Sequence, residues 1–199
     1  MRKHFPRIPL YIGVLLASTS LAQAQELVLE EVIVTAQKRA QSLQDVPISV
    51  AAVSGDTITN RSIDSLASLS TSVPNLFITE SQIDSTIQIR GVQTGANKGF
   101  EQSVAMYVDG IYYGRSQLIR LPLMDLDRVE VLRGPQPTLF GKNAIAGAVS
   151  VWSAKPTSEF EGSVSASYEF EHDEPQVTGM LSGPITDSLR GRVVGSYRE

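Results

Sequence analysis

The 199-residue sequence contains no cysteine. That removes disulfide frameworks, thiolate metal sites and cysteine nucleophiles together, and it suits an exported protein that avoids stray oxidation. Histidine is almost as scarce. Of the two, His4 lies among N-terminal cations and His172 stands in a charged turn, Glu171-His172-Asp173-Glu174, where a solvated loop residue is the plain reading. No metal site and no bound cofactor are expected from such a set. Beyond residue 24 there is no long apolar run, so nothing there crosses a membrane as a helix; crossing by strands stays open. Clusters of Lys and Arg with interleaved aromatics are also lacking. The formal charge is −4, and nucleic acid is not an expected partner.

Enzyme motifs fail in the same way. Gly134 to Asn143 resembles a phosphate loop only superficially, since six residues separate Gly134 from Gly141 where the motif needs four. Asn143 also stands where a Ser or Thr would hold magnesium. Serines are plentiful, but no GxSxG elbow occurs, and the chain is not expected to be an enzyme.

What is present begins at the first residues. Arg2, Lys3, His4 and Arg7 precede an apolar block from Leu10 to Leu16, and Ala22-Gln23-Ala24 supplies small residues behind it. This is the three-part pattern of a secretory signal, too short for the ~20 residues a spanning helix requires. Residues 1–24 are therefore expected to be a signal peptide cleaved after Ala24. The alternative, a buried N-terminal helix, would not stack cations ahead of an unbroken apolar block.

The next stretch, residues 26–39, is a short β-branched run between acids and bases and reads as a lone strand in search of a partner. A globular unit then starts with a strand over residues 46–53. Ile63, Leu66 and Leu69 recur at helical spacing behind Ser62 as the capping candidate, predicting one or two short helices between Asp56 and Ser70. Strand patterns follow at residues 76–78, 85–90, 104–108 and 111–113, with Asp109-Gly110 as a tight hairpin turn. A helical turn is expected over residues 123–126 behind Pro122. Residues 128–133 alternate, with Val129 and Val131 on one face and Arg128 and Glu130 on the other. A glycine-bearing strand over residues 144–151 and Lys155-Pro156 close the unit.

From Glu161 the pattern changes. Val164, Ala166, Tyr168 and Phe170 alternate with Ser163, Ser165, Ser167 and Glu169; a second strand runs over about residues 176–182. In a third, Leu189, Gly191, Val193, Gly195 and Tyr197 oppose Arg190, Arg192, Val194, Ser196 and Arg198. Such periods suit membrane-barrel strands of ~10 residues, while an ordinary antiparallel meander with one wet face is the rival reading. Too few residues follow Phe160 to close a barrel, which takes about eight strands. The pattern also stops inside a strand at Arg198-Glu199, so a piece of a longer protein is expected.

Six segments in fixed order carry a family resemblance. They are Glu30-Glu31-Val32-Ile33-Val34-Thr35-Ala36 with its Gln37-Lys38-Arg39 continuation, Asp45-Val46-Pro47-Ile48-Ser49-Val50, Ile89-Arg90-Gly91-Val92, residues 104–110 as VAMYVDG, residues 127–135 as DRVEVLRGP, and residues 138–143 as TLFGKN. Together they resemble the N-terminal part of TonB-dependent outer-membrane receptors, from about Leu29 onward. Pro137 departs from the glycine usual there and puts the local loop geometry in question. Residues 151–156, VWSAKP, depart from a more usual NIITKKP-like close.

The resemblance implies a fold class: a small α+β plug, here residues 42–160, followed from 161 to 199 by the opening antiparallel strands of an incomplete transmembrane β-barrel. Residues 25–41 would be a TonB box and periplasmic tether. It implies TonB as partner, outer-membrane lipid around the barrel, and a scarce large solute as cargo, a ferric siderophore by default and an oligosaccharide or corrinoid otherwise. A non-transporting surface protein is the further alternative. Glu30, Glu31, Val32, Ile33, Val34, Thr35 and Ala36 would meet TonB by strand addition, where main-chain hydrogen bonds give affinity. The alternative for this segment is an edge strand of the plug. Substrate contacts are expected from Arg90, Gln93, Tyr112, Tyr113 and Arg115, whose cationic, amide and aromatic groups suit an anionic metal chelate. Glu130 and Arg133 resemble plug charges that pair with the barrel wall.

Overall fold

The computed structural model of the chain describes residues 32–36, 38–80, 85–94, 101–115, 123–169 and 173–198. The expected signal peptide, Glu30, Glu31, Pro122 and His172 lie outside the described residues, as do parts of the two loops that follow Gln93 and Arg115.

A mixed sheet of five strands organises the first part. Its members are β3 (Val50–Ser54), β7 (Val104–Val108), β8 (Ile111–Tyr113), β9 (Leu126–Arg133) and β10 (Gly147–Ser153), in the order β3-β9-β10-β7-β8. Only the β10–β7 pair is parallel. The strand expected over residues 46–53 thus starts later, leaving Pro47, which has no amide to offer a ladder, outside it. Asp109 and Gly110 join β7 to β8 with φ of 50° and 82°, the doubly positive turn that matches strand twist.

Alternation gives this sheet two unlike faces. Val53, Val129, Val131, Val149, Val151, Val104 and Met106 point to one side. There they meet Ile58 of α1 (Gly55–Asn60), Leu66 and Leu69 of α2 (Leu66–Ser70), and Leu76, Ile87 and Ile89 from β4 (Leu76–Glu80) and β5 (Ser85–Ile89). The smaller sheet adds β6 (Val92–Gln93) to β4 and β5. Ser54 and Ser65 cap the two helices by accepting from Thr57 N–H and Ser68 N–H. Ser62, the expected cap, instead sits in the turn after α1 with φ of 52°, because Arg61 already closes that helix. No helix forms over residues 123–126: Leu126 begins β9, and Asp125 before it has φ of 55°.

The second face carries Leu132, Ala148, Ala105 and Glu130 and is covered by the chain's own N-terminal segment. There β1 (Ile33–Val34) pairs antiparallel with β2 (Gln41–Ser42), and a 3-10 turn over Leu43–Asp45 follows. Phe140, from α3 (Pro137–Phe140), completes this layer. Pro137 is the first residue of that one-turn helix, where an amide would be unsatisfied in any case, so the departure from glycine is accommodated.

A separate antiparallel sheet holds β11 (Glu161–Glu169), β12 (Glu174–Pro184) and β13 (Arg190–Arg198). Register places Val164, Gly179 and Gly195 on one face with Leu181, Val193 and Tyr197, all exposed apart from Gly179. The opposite face bears Ser163, Ser165, Thr178, Ser182, Arg192, Ser196 and Arg198, with Met180 and Val194 among them. Three strands do not close a barrel.

Candidate functional site

Residues 32–36 of the segment expected to bind TonB are docked on the plug. Val34 and Ala36 are fully buried against Leu132, Phe140 and Ala148, while Ile33 between them and solvent is 44% exposed. Beneath the segment lies Glu130, only 1% exposed. One of its oxygens, Oε1, accepts from the Thr35 backbone N–H at 2.8 Å, the Thr35 hydroxyl at 3.0 Å and Arg128 Nε at 2.8 Å. Its other oxygen has no partner among the described residues. The Arg128 guanidinium also stacks 5.2 Å from the Trp152 ring and meets Asp127. Alternation turns Glu130 to the face that residues 32–36 cover.

At the far end of the segment, Lys38 stands over two rings, 5.0 Å from Tyr107 and 4.8 Å from Phe140, so its ammonium gains cation–π attraction. The Tyr107 hydroxyl donates to the Phe140 carbonyl at 2.6 Å. Burial, with Tyr112 beside it, pushes the Tyr107 phenol above its ordinary pKa. Tyr112 lies 5.6 Å from Tyr107 and receives a hydrogen bond from Asn143.

The five expected ligand contacts are not gathered into one site. Arg90 is exposed on the β5–β6 turn, held by its N–H to the Asn75 carbonyl at 3.0 Å, and Gln93 is exposed on β6. Tyr112 and Tyr113 point to opposite faces of β8: Tyr112 joins Tyr107, whereas Tyr113 packs on the helix-covered core. Arg115 is exposed beyond β8. Arg133 donates Nη1 to the Pro74 carbonyl at 3.3 Å, and its buried Nε has no partner among the described residues.

Sequence reasoning missed the polar joints between plug and strands β11–β13. Arg192 donates Nε to Asp125 Oδ2 at 2.7 Å and Nη2 to Oδ1, and Arg198 lies 3.5 Å from Asp64. The Ser182 hydroxyl binds Thr157 through its N–H at 3.0 Å and its hydroxyl at 2.9 Å. No local pattern pairs residues so far apart in sequence. Among the described residues no cluster of acids and histidines is disposed to hold a metal ion.

The mixed sheet, covered on one face by its own N-terminal strand and joined by polar contacts to a following antiparallel sheet, has the make-up of a receptor plug domain. The TonB-dependent receptor plug domain family matches residues 42–148, and the chain belongs to it. It is 33% identical over 184 residues to the pesticin receptor of Yersinia pestis, covering 89% of this chain and 26% of that protein. The iron-regulated outer membrane virulence protein of Vibrio cholerae is 26% identical over 196 residues, covering 92% of this chain and 30% of that protein. The crystal structure of the ferric yersiniabactin uptake receptor from Yersinia pestis superposes with a TM-score of 0.63 at 31% identity, covering 75% of this chain and 24% of that one. The chain thus spans 26–30% of the length of these two curated relatives.

Proposed function

We propose that the chain forms the plug and first wall strands of an outer-membrane receptor that imports a scarce large solute, most of all a ferric siderophore, with energy delivered through TonB. The observation that carries this reading is the sidedness of β11–β13. Two arginines of their polar face, Arg192 and Arg198, reach Asp125 and Asp64 of the plug, while Val164, Leu181, Val193 and Tyr197 on the other face are exposed, the arrangement of a barrel wall around a plug. An ordinary meander with one wet face would bury its apolar face on a core instead. The resemblance to receptors named for iron regulation and ferric yersiniabactin uptake supports an iron chelate as cargo.

An outer membrane has no energy source of its own, so the pull must come from another compartment. Residues 30–36 supply an extended, β-branched stretch suited to strand addition on TonB. The test is deletion of residues 30–36 from the receptor in living cells, followed by radio-iron uptake from ferric siderophores. Loss of energised uptake with surface binding retained is the expected result. Uptake that persists after deletion removes the TonB dependence, and uptake of a corrinoid or oligosaccharide in place of the ferric chelates reassigns the cargo.

A further inference from the structure

The docked segment and the bound segment cannot be the same state. Strand addition consumes main-chain N–H and C=O groups along an extended stretch. Within residues 32–36, the Val32 carbonyl accepts from Leu43 N–H at 2.9 Å and the Thr35 carbonyl from Lys38 N–H at 2.8 Å. The Thr35 N–H is bound to Glu130. Apolar burial of Val34 and Ala36 would hold many sequences here, but the directional hold is the carboxylate: both donors of a single residue converge on one oxygen inside the sheet face. Arg128 fixes that carboxylate in place, as its Nε donates to the same oxygen while its guanidinium is braced on Trp152.

We infer that Glu130 is a positioning residue that keeps residues 32–36 closed to TonB, so that the Thr35–Glu130 contact and capture by TonB compete for the same backbone amide. The inference rests on the TonB-dependent reading above. Hydrogen bonds to an ionised acceptor are the strong class, and weakening this contact shifts the docked-to-free ratio by about tenfold or more. The receptor then presents its segment without waiting for whatever event normally frees it.

The experiment uses the receptor in outer membranes, with Ile33→Cys as the labelling site, since Ile33 is half exposed and this chain has no cysteine of its own. A spin label there reports mobility in cells lacking TonB, and disulfide trapping to a cysteine on TonB reports capture in cells that have it. In Glu130→Gln the mobile fraction is expected to rise about tenfold relative to the docked one, with trapping increased in the absence of substrate. Thr35→Val, which removes the hydroxyl donor without touching the sheet, is expected to move both readouts in the same direction by less, and it decides the matter should the Gln variant fail to assemble. Unchanged mobility in both variants overturns the latch. Raised mobility without trapping in any variant supports the latch and overturns the TonB reading, whereas trapping in the parent with mobility unmoved does the reverse.

Discussion

The Arg192 guanidinium on β13 forks the Asp125 carboxylate that precedes β9, with Nε 2.7 Å from Oδ2 and Nη2 on Oδ1. The side chains are 14% and 21% exposed, so the pair is largely withdrawn from water. A planar fork of this kind is matched to a carboxylate in a way that an ammonium is not. It joins the plug to the third strand of the second sheet, across 67 residues of chain.

Arg192→Lys keeps the charge and loses the fork, and Asp125→Asn keeps the left-handed backbone that Asn tolerates while losing the charge. Each is expected to loosen the plug from the wall strands by about 1.5–3 kcal/mol, the range for hydrogen bonds to charged groups. Limited proteolysis of the plug in intact membranes reads this directly. Cleavage rates equal to the parent in both variants would mean that the fork adds no hold.

Two glycines are fixed by closeness. A Cβ on Gly147, whose φ is 153°, would lie 2.2 Å from the Leu132 carbonyl oxygen, and one on Gly55 would lie 1.8 Å from that of Leu126. In both cases the obstacle is backbone of β9, which cannot swing aside as a side chain would. Gly147→Ala and Gly55→Ala are expected to cost at least about 1–3 kcal/mol each, the range for overpacking. Gly179→Ala, with nothing within 4 Å, serves as the neutral comparison. Thermal unfolding of the three variants beside the parent checks the order.

The Tyr107 phenol, raised by burial and by Tyr112, ties pH to stability with a definite sign. Its folded pKa lies above the unfolded value, so the contribution is fully present below pH about 10 and is lost as pH rises through the folded value. Ionisation also removes the hydroxyl hydrogen that binds the Phe140 carbonyl. Tyr107→Phe is expected to cost about 1 kcal/mol near neutrality, the worth of one hydrogen bond, and to lose the tyrosine-linked part of the alkaline decline. Unfolding curves at pH 8 and above pH 10 separate the two effects; parallel curves for variant and parent would remove Tyr107 from the alkaline transition.

Much of this fold could be read from the residues, and the exceptions have physical causes. The Asp109-Gly110 hairpin and the alternation of β9 are local, set by backbone freedom and a two-residue period, and both lie where the sequence places them. Glu130 was assigned to the polar face of β9 correctly, yet alternation says only which side a residue takes and not what covers that side. That cover is Val34, Thr35 and Ala36, about 95 residues earlier in the chain. The same limit hid Asp125–Arg192. The helical turn expected behind Pro122 failed for the opposite reason: a local signal at Leu123–Leu126 was overridden by the pairing of Leu126 with Ser153 at the end of β10. Tyr112 and Tyr113, adjacent on β8, face opposite ways, Tyr112 toward Tyr107 and Tyr113 toward the helix-covered core.

The sidedness of β11–β13 yields the sharpest contrast within a single sheet. Val193 is 72% exposed and Val164 82% exposed on the face away from the plug, while Ser165 belongs to the opposite face, two positions along from Ser163. If that outward face meets lipid, a cation there must be dragged into hydrocarbon, at about 2–4 kcal/mol near the midplane and little near the interface. Val193→Lys and Val164→Lys are therefore expected to lower the amount of receptor assembled in the outer membrane. Ser165→Lys, which adds the same charge to the same sheet on its inner side, is expected to leave assembly near the parental level. Val164→Lys and Val193→Lys give up more hydrophobicity and strand propensity than Ser165→Lys, and the cost of placing the charge in hydrocarbon adds to that difference. Equal assembly of all three would mean that both faces of the sheet are wet, and the wall-strand reading would fall with it.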